Sequence, residues 1–170
     1  MGRWRPPQAA ASPYITPQGH AALEKELDVL WVRRRDVTQH LAAAAAEGDR
    51  SENAEYIYRK KELREIDRRI RYLQYRLTEL KVVNTKPASH DRVYFGAYVT
   101  TELVSGEEMH FRIVGADEID SEKNFISVDS PLAKAVLGKS LDDSVQVATP
   151  QGEVEHVIVE IEYKESEPSA

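Results

Sequence analysis

The feature that most constrains this chain is a change of hydrophobic period near its middle. Leu23, Leu27, Leu30, Arg34, Val37 and Leu41 recur at alternating steps of four and three. Leu63, Ile66, Ile70, Leu73, Leu77 and Leu80 do the same in a second stretch, which Tyr56 extends upstream by one heptad. That spacing lines one seam of an α-helix, and two such helices joined by a short break fold back as an antiparallel coiled coil. The break is Glu47-Gly48-Asp49-Arg50-Ser51. Thr16-Pro17 is a start signal for the first helix, a capping hydroxyl followed by proline at the first helical position. Arms of about 30 residues rise to about 45 Å, so the break sits at the far tip of a rod.

From Val93 the period shortens to two. Val93–Thr101, Met109–Val114, Asn124–Val128, Ser144–Ala148 and Val154–Tyr163 read as strands. In the last, Val157, Val159, Ile161 and Tyr163 alternate with His156, Ile158, Glu160 and Glu162. Ser130 as cap, Pro131 at the start and Gly138 just past the end outline one short helix. The prediction is an α+β chain: a coiled-coil hairpin, then a small domain with an antiparallel sheet and one short helix. The expected divisions are a flexible extension over 1–13, the hairpin over 14–83, a linker over 84–90, the sheet domain over 91–164 and a flexible tail over 165–170.

Charge divides along the same line. The whole chain carries −6, yet residues 1–86 hold 17 Lys and Arg against 12 Asp and Glu, and residues 87–170 hold 6 against 17. The basic half suits a phosphate-rich or acidic partner. No apolar run approaches the roughly 20 residues of a membrane helix, and residues 1–13 lack the apolar core of a secretory signal. The chain has no cysteine, which excludes disulfides and thiolate metal sites. A cytoplasmic protein without a membrane partner is expected.

Candidate chemistry concentrates at the tip. Asp49 and Glu52 lie three apart before the second helix. That is a capping-box arrangement, which complements the helix dipole. The same two carboxylates are also suitable oxygen donors for a hard cation such as Mg²⁺, although two alone cannot complete its shell. Along the second helix Arg59, Lys60, Lys61, Arg64, Arg68, Arg69, Arg71 and Arg76 avoid the seam and outnumber Glu62, Glu65, Asp67 and Glu79, which suits either a solvated flank with pairs such as Glu65–Arg69 or a phosphate- or acid-binding face. Tyr56 is expected to pack between helices, and Trp31 to be partly buried near the seam. The five histidines show no metal spacing.

The run Gly48-Asp49-Arg50-Ser51-Glu52-Asn53-Ala54-Glu55-Tyr56 closely resembles the tip motif of the Gre transcript-cleavage factors, bacterial transcription elongation factors. Leu63 to Leu73 and Leu30-Trp31 resemble the GreB branch most closely. Phe95-Gly96-Ala97, Phe111 to Gly115 and Ile126 to Ala133 extend the likeness into the second half, so that it covers about residues 14–163. Arg33-Arg34-Arg35-Asp36 departs from the Arg-Pro segment expected in that branch.

The resemblance implies an FKBP-like second domain and a factor that is not itself an enzyme. Its hairpin would enter the secondary channel of bacterial RNA polymerase and stimulate hydrolytic cleavage of backtracked RNA. Asp49 and Glu52 would share a transient Mg²⁺ with the polymerase, the isolated protein holding none. Arg59, Lys60, Arg64 and Arg68 would face the nascent RNA 3′ end or the channel wall. Asp129, Ser130 and Pro131 would dock on the polymerase. A monomer is expected. The alternative is a secondary-channel regulator that binds without promoting cleavage.

Overall fold

The two long helices form because their leucine seams meet. The computed structural model describes residues 9–47 and 53–164. Helix α1 spans Pro17–Ala46 and helix α2 spans Ala54–Glu79. Val37, Ile66 and Ile70 are buried together, with Leu27, Leu30 and Leu63 packed against them. The partners run in opposite order along the two helices. Glu26 accepts from Arg69, whose Nε lies at 2.7 Å, and Arg33 Nε donates to Glu62 at 2.9 Å. At the tip end Asn53 Nδ2 donates to the Ala44 carbonyl at 2.8 Å. The helices are therefore antiparallel.

Arg34 breaks the heptad, and the fold answers it with Asp67, whose carboxylate takes Arg34 Nε at 2.6 Å. Trp31 is 41% exposed. One residue past the seam Leu30, it lies about 100° around α1 from that position, beside Asp67 and Ile70 of α2. Arg69 donates two hydrogen bonds to Glu26 of the other helix.

A short parallel pair flanks the helices in the sequence. Strand β1, Tyr14–Ile15, immediately precedes α1, and strand β2, Lys81–Val82, follows α2 after the single residue Leu80. Tyr14 pairs with Lys81 and Ile15 with Val82. The chain divides into two compact units, His20–Leu80 on one side and residues 1–19 with 81–170 on the other. Residues 14–19, expected with the hairpin, cluster with the sheet unit.

That unit is built on a five-stranded sheet in the order β5-β4-β3-β7-β6. The strands are β3 Tyr98–Leu103, β4 Glu108–Val114, β5 Phe125–Ser127, β6 Ser144–Thr149 and β7 Gly152–Glu162. Neighbours are antiparallel except β4 and β5, which are parallel. Helix α3, Pro131–Val136, contributes Ala133 and Val136 to a core with Val99, Phe111, Ile113, Val145, Val147 and Ile158. The architecture is α+β.

Two strand expectations need correction. The strand expected from Val93 begins only at Tyr98, because the chain turns at Phe95-Gly96, where Gly96 has φ +86. In β7 the alternation changes phase. Thr100 pairs with Glu160 and Thr101 with Ile158, which leaves Val159 as an extra residue in a β-bulge. Ile158 is therefore fully buried while Val159 is 37% exposed, the reverse of the simple period-two reading. Past the bulge Ile161 and Tyr163 return to the core side.

Candidate functional site

Asp49 and Glu52 lie outside the described residues. The structure does define the helix end beside them. The N-cap of α2 is Asn53, whose side chain accepts from Tyr56 N at 3.1 Å. Its amide nitrogen also ties back to Ala44 at the end of α1. One asparagine thus caps one helix and bridges to the other. The capping box read from Asp49 and Glu52 is not the cap of α2, because Asn53 fills that place. Asn53 was legible as a cap residue type standing before the helix formers Ala54 and Glu55.

On α2 the structure separates the four predicted contact residues. Arg59 is largely covered and sits between carboxylates, with Nη1 3.1 Å from Glu62 and Nε 3.7 Å from Glu55. Glu62 in turn receives Arg33. Burial penalises the Glu62 carboxylate, but hydrogen bonds from Arg33 and Arg59 outweigh it and hold its pKa below the ordinary 4.5. Lys60, Arg64 and Arg68 are exposed. Lys61 and Arg71 are exposed too, and their spacing from Arg64 and Arg68 puts them on the same face, turned away from the seam. Tyr58 and Tyr75 are exposed, while Tyr56 is half-buried with Lys60 Nζ 5.8 Å above its ring.

In the sheet unit the predicted docking residues share one turn. Ser130 is the N-cap of α3, accepting from Ala133 N at 3.2 Å, and Pro131 opens the helix. Asp129 is exposed and its carboxylate accepts from Ser12 N at 2.8 Å. The N-terminal segment thus reaches this turn, which nothing in the sequence foretold. Gly138, with φ +77, follows α3 as expected.

Among the described residues no cluster of three or more His, Asp or Glu is arranged to hold a metal ion. No described helix is long and apolar enough to cross a membrane. His156 is buried with Nδ1 3.0 Å from Thr101 Oγ1, and burial lowers its pKa from the usual 6.5.

The family description "Transcription elongation factor, N-terminal" matches residues 13–82, and "Transcription elongation factor, GreA/GreB, C-term" matches residues 88–163. The chain belongs to the GreA/GreB family of transcription elongation factors. It is 59% identical over 164 residues to transcription elongation factor GreB of Pseudomonas aeruginosa, covering 96% of this chain and 98% of that protein. It is 55% identical to GreB of Xanthomonas axonopodis pv. citri over 165 residues, with the same coverage. The solved structure of GreA factor homolog 1 (Gfh1) of Thermus thermophilus matches 88% of this chain and 97% of its own at 26% identity, with a TM-score of 0.40.

Proposed function

We propose that this elongation factor binds bacterial RNA polymerase in the cytoplasm, inserts its hairpin into the secondary channel and stimulates hydrolytic cleavage of backtracked nascent RNA. The observation that carries the reading is at the hairpin end. Asn53 caps α2 and bridges to α1. Asp49 and Glu52 are then not needed to cap α2. In the sequence they fall between helices of 30 and 26 residues, each about 40 to 45 Å long.

The donor chemistry suits the role. Two carboxylates are hard oxygen ligands of the kind Mg²⁺ takes, and they are too few for a complete shell. Asp49 and Glu52 would hold the ion jointly with carboxylates of the polymerase. When bound, such an ion activates water and stabilises a leaving oxygen in phosphodiester hydrolysis. The chain's own part is delivery: the rod carries two negative groups to the reacting phosphate, and the partner supplies the remainder of the site. The factor therefore has no cleavage activity of its own.

The remaining residues divide the work of binding. Lys60, Arg64 and Arg68, joined by Lys61 and Arg71, present a basic face to the RNA 3′ end or the channel wall. Arg59 contributes by ordering Glu55 and Glu62 rather than by direct contact. Asp129, Ser130 and Pro131 form the turn that docks on the polymerase.

The test is to add the protein to stalled, backtracked elongation complexes with Mg²⁺ and follow RNA length. Shortened transcripts are expected. Binding to the complexes without any shortening overturns the cleavage reading in favour of a channel regulator.

A further inference from the structure

An exposed tryptophan stands in a groove along the hairpin. Trp31 and Arg34 of α1 line it with Asp67, Ile70, Arg71 and Gln74 of α2, and its volume is about 500 Å³. Sites for small ligands run to roughly 300–1,000 Å³. All six residues belong to the hairpin unit. Asp67, Arg71 and Gln74 recur at steps of four and three, so they form one flank of α2. Ile70 is the seam residue beside them, only 3% exposed, and it gives the groove an apolar floor.

The charges in the groove are unequal. Two arginines stand against one aspartate. Arg34 Nε meets the Asp67 carboxylate at 2.6 Å, so the acid is already engaged. Arg71 Nε donates to the Asp67 backbone carbonyl at 3.4 Å, and the Arg71 side chain is exposed. The same flank of α2 continues toward the tip with exposed Arg64 and Lys60, and exposed Arg35 lies one turn beyond Trp31 on α1. A row of cations therefore leads to the groove.

These groups have the chemistry of a nucleotide site. An exposed indole offers a face on which any base can stack. A guanidinium pairs with phosphate oxygens, and an amide such as that of Gln74 both donates and accepts, as a base edge requires. The row of cations suits the repeating phosphates of an extended strand. An apolar peptide would fill the groove by contact area alone and leave those cations unmatched. A duplex keeps its bases paired and away from the indole.

We infer that the groove between Trp31 and Arg71 binds single-stranded RNA, with a base stacked on the Trp31 indole and a neighbouring phosphate on Arg71. That the strand is the extruded end of a backtracked transcript rests on the proposed function; the chemistry of the groove does not. Trp31 lies 15 residues before Ala46, the end of α1, which is about 22 Å of helix. A transcript meets it only after extending that far along the hairpin.

The chain has two tryptophans, so Trp4→Phe leaves Trp31 as the sole one. Its fluorescence is followed while a short oligouridylate is added to the full-length protein, and it should be quenched to saturation. Binding of a labelled oligouridylate should weaken about tenfold in Trp31→Leu, which keeps apolar area and loses the stacking ring, and by no more than about threefold in Trp31→Phe. Arg71→Gln should lower the slope of log affinity against log salt by about 0.7, the share of one phosphate on a single strand. Both positions are exposed, so neither substitution removes a core residue. Absence of quenching overturns the inference. So do equal losses in Trp31→Leu and Trp31→Phe, an unchanged affinity in Trp31→Leu, an unchanged salt slope in Arg71→Gln, or equal quenching by oligoglutamate, which would mark the groove as a site for acidic protein. If RNA quenches Trp31 and the parent protein cleaves nothing in backtracked complexes, the proposed function fails and the RNA groove stands. If cleavage proceeds without quenching, the groove fails and the proposed function stands.

Discussion

The hairpin and the sheet unit keep their structures by different means. In the hairpin a narrow seam is buried, chiefly Val37, Ile66 and Ile70, and cross-helix ion pairs such as Arg34–Asp67 and Arg69–Glu26 flank it. In the sheet unit a contiguous core joins four strands to α3, and its inner residues are fully covered. A thin two-helix rod has most of its surface in water, so it can display charge along its length and at its tip. The sheet unit instead buries its apolar residues in one core. The contrast matches the proposed division between delivery by the hairpin and docking by the sheet unit.

The largest expected effect breaks the comparison at the tip. Asp49→Ala or Glu52→Ala should reduce RNA cleavage in backtracked complexes by on the order of a hundredfold or more, the scale of losing a group that stabilises developing charge. Polymerase binding, measured by co-sedimentation, should survive, because the proposed docking residues Asp129, Ser130 and Pro131 lie outside the hairpin. Persistent cleavage in both variants would sink the tip assignment.

The next tests the core of the sheet unit. Ile158→Ala should destabilise it by about 2–5 kcal/mol in chemical denaturation, whereas Val159→Ala, one residue away on the bulge, should change it by less than about 1 kcal/mol. Equal effects would mean that the register through the bulge is wrong. A smaller change is expected at the hairpin end: Asn53→Ala should lower hairpin stability by about 1 kcal/mol, the usual value of a lost N-cap. Faster amide exchange at Tyr56, whose N–H Asn53 accepts, is the measurement that checks it.

The smallest effect separates the two units by pH. His156 is buried and its pKa is lowered from 6.5 by desolvation. Below about that value the unfolded chain binds more protons than the folded one, so the sheet unit should lose stability as pH falls through 6.5 and beneath it. Glu62 in the hairpin has the opposite kind of partner. Its pKa lies below 4.5, so the stability it contributes is present above that value and lost only as pH falls further. Denaturation followed at pH 7.5, 6 and 5 should show the sheet unit weakening first, and His156→Asn should flatten its slope.

Much of the fold was legible because it rests on periodicity. Steps of three and four from Leu23 to Leu80 specify a helical seam, and the following alternation specifies strands. The period also marked Arg34 as an interruption, but only its encounter with Asp67 shows how the interruption is accommodated. The phase change in β7 was not legible, because a bulge inserts a residue without altering composition. The two-residue strands β1 and β2 are too short to carry any period, so their pairing appears only in three dimensions.

The candidate site divides the same way. The sequence by itself determined the carboxylate pair at 49 and 52, the break that holds it and the basic excess along α2, since these depend on residue type and spacing. Tertiary structure decided which residues are otherwise engaged: Asn53 takes the cap, Arg59 is enclosed by Glu55 and Glu62, and Asp129 meets Ser12. It alone brought Trp31 to Arg71 and Gln74 in one groove. The physical reason is that local spacing specifies which face a side chain occupies, whereas a hydrogen bond between distant segments exists only after the chain has closed on itself.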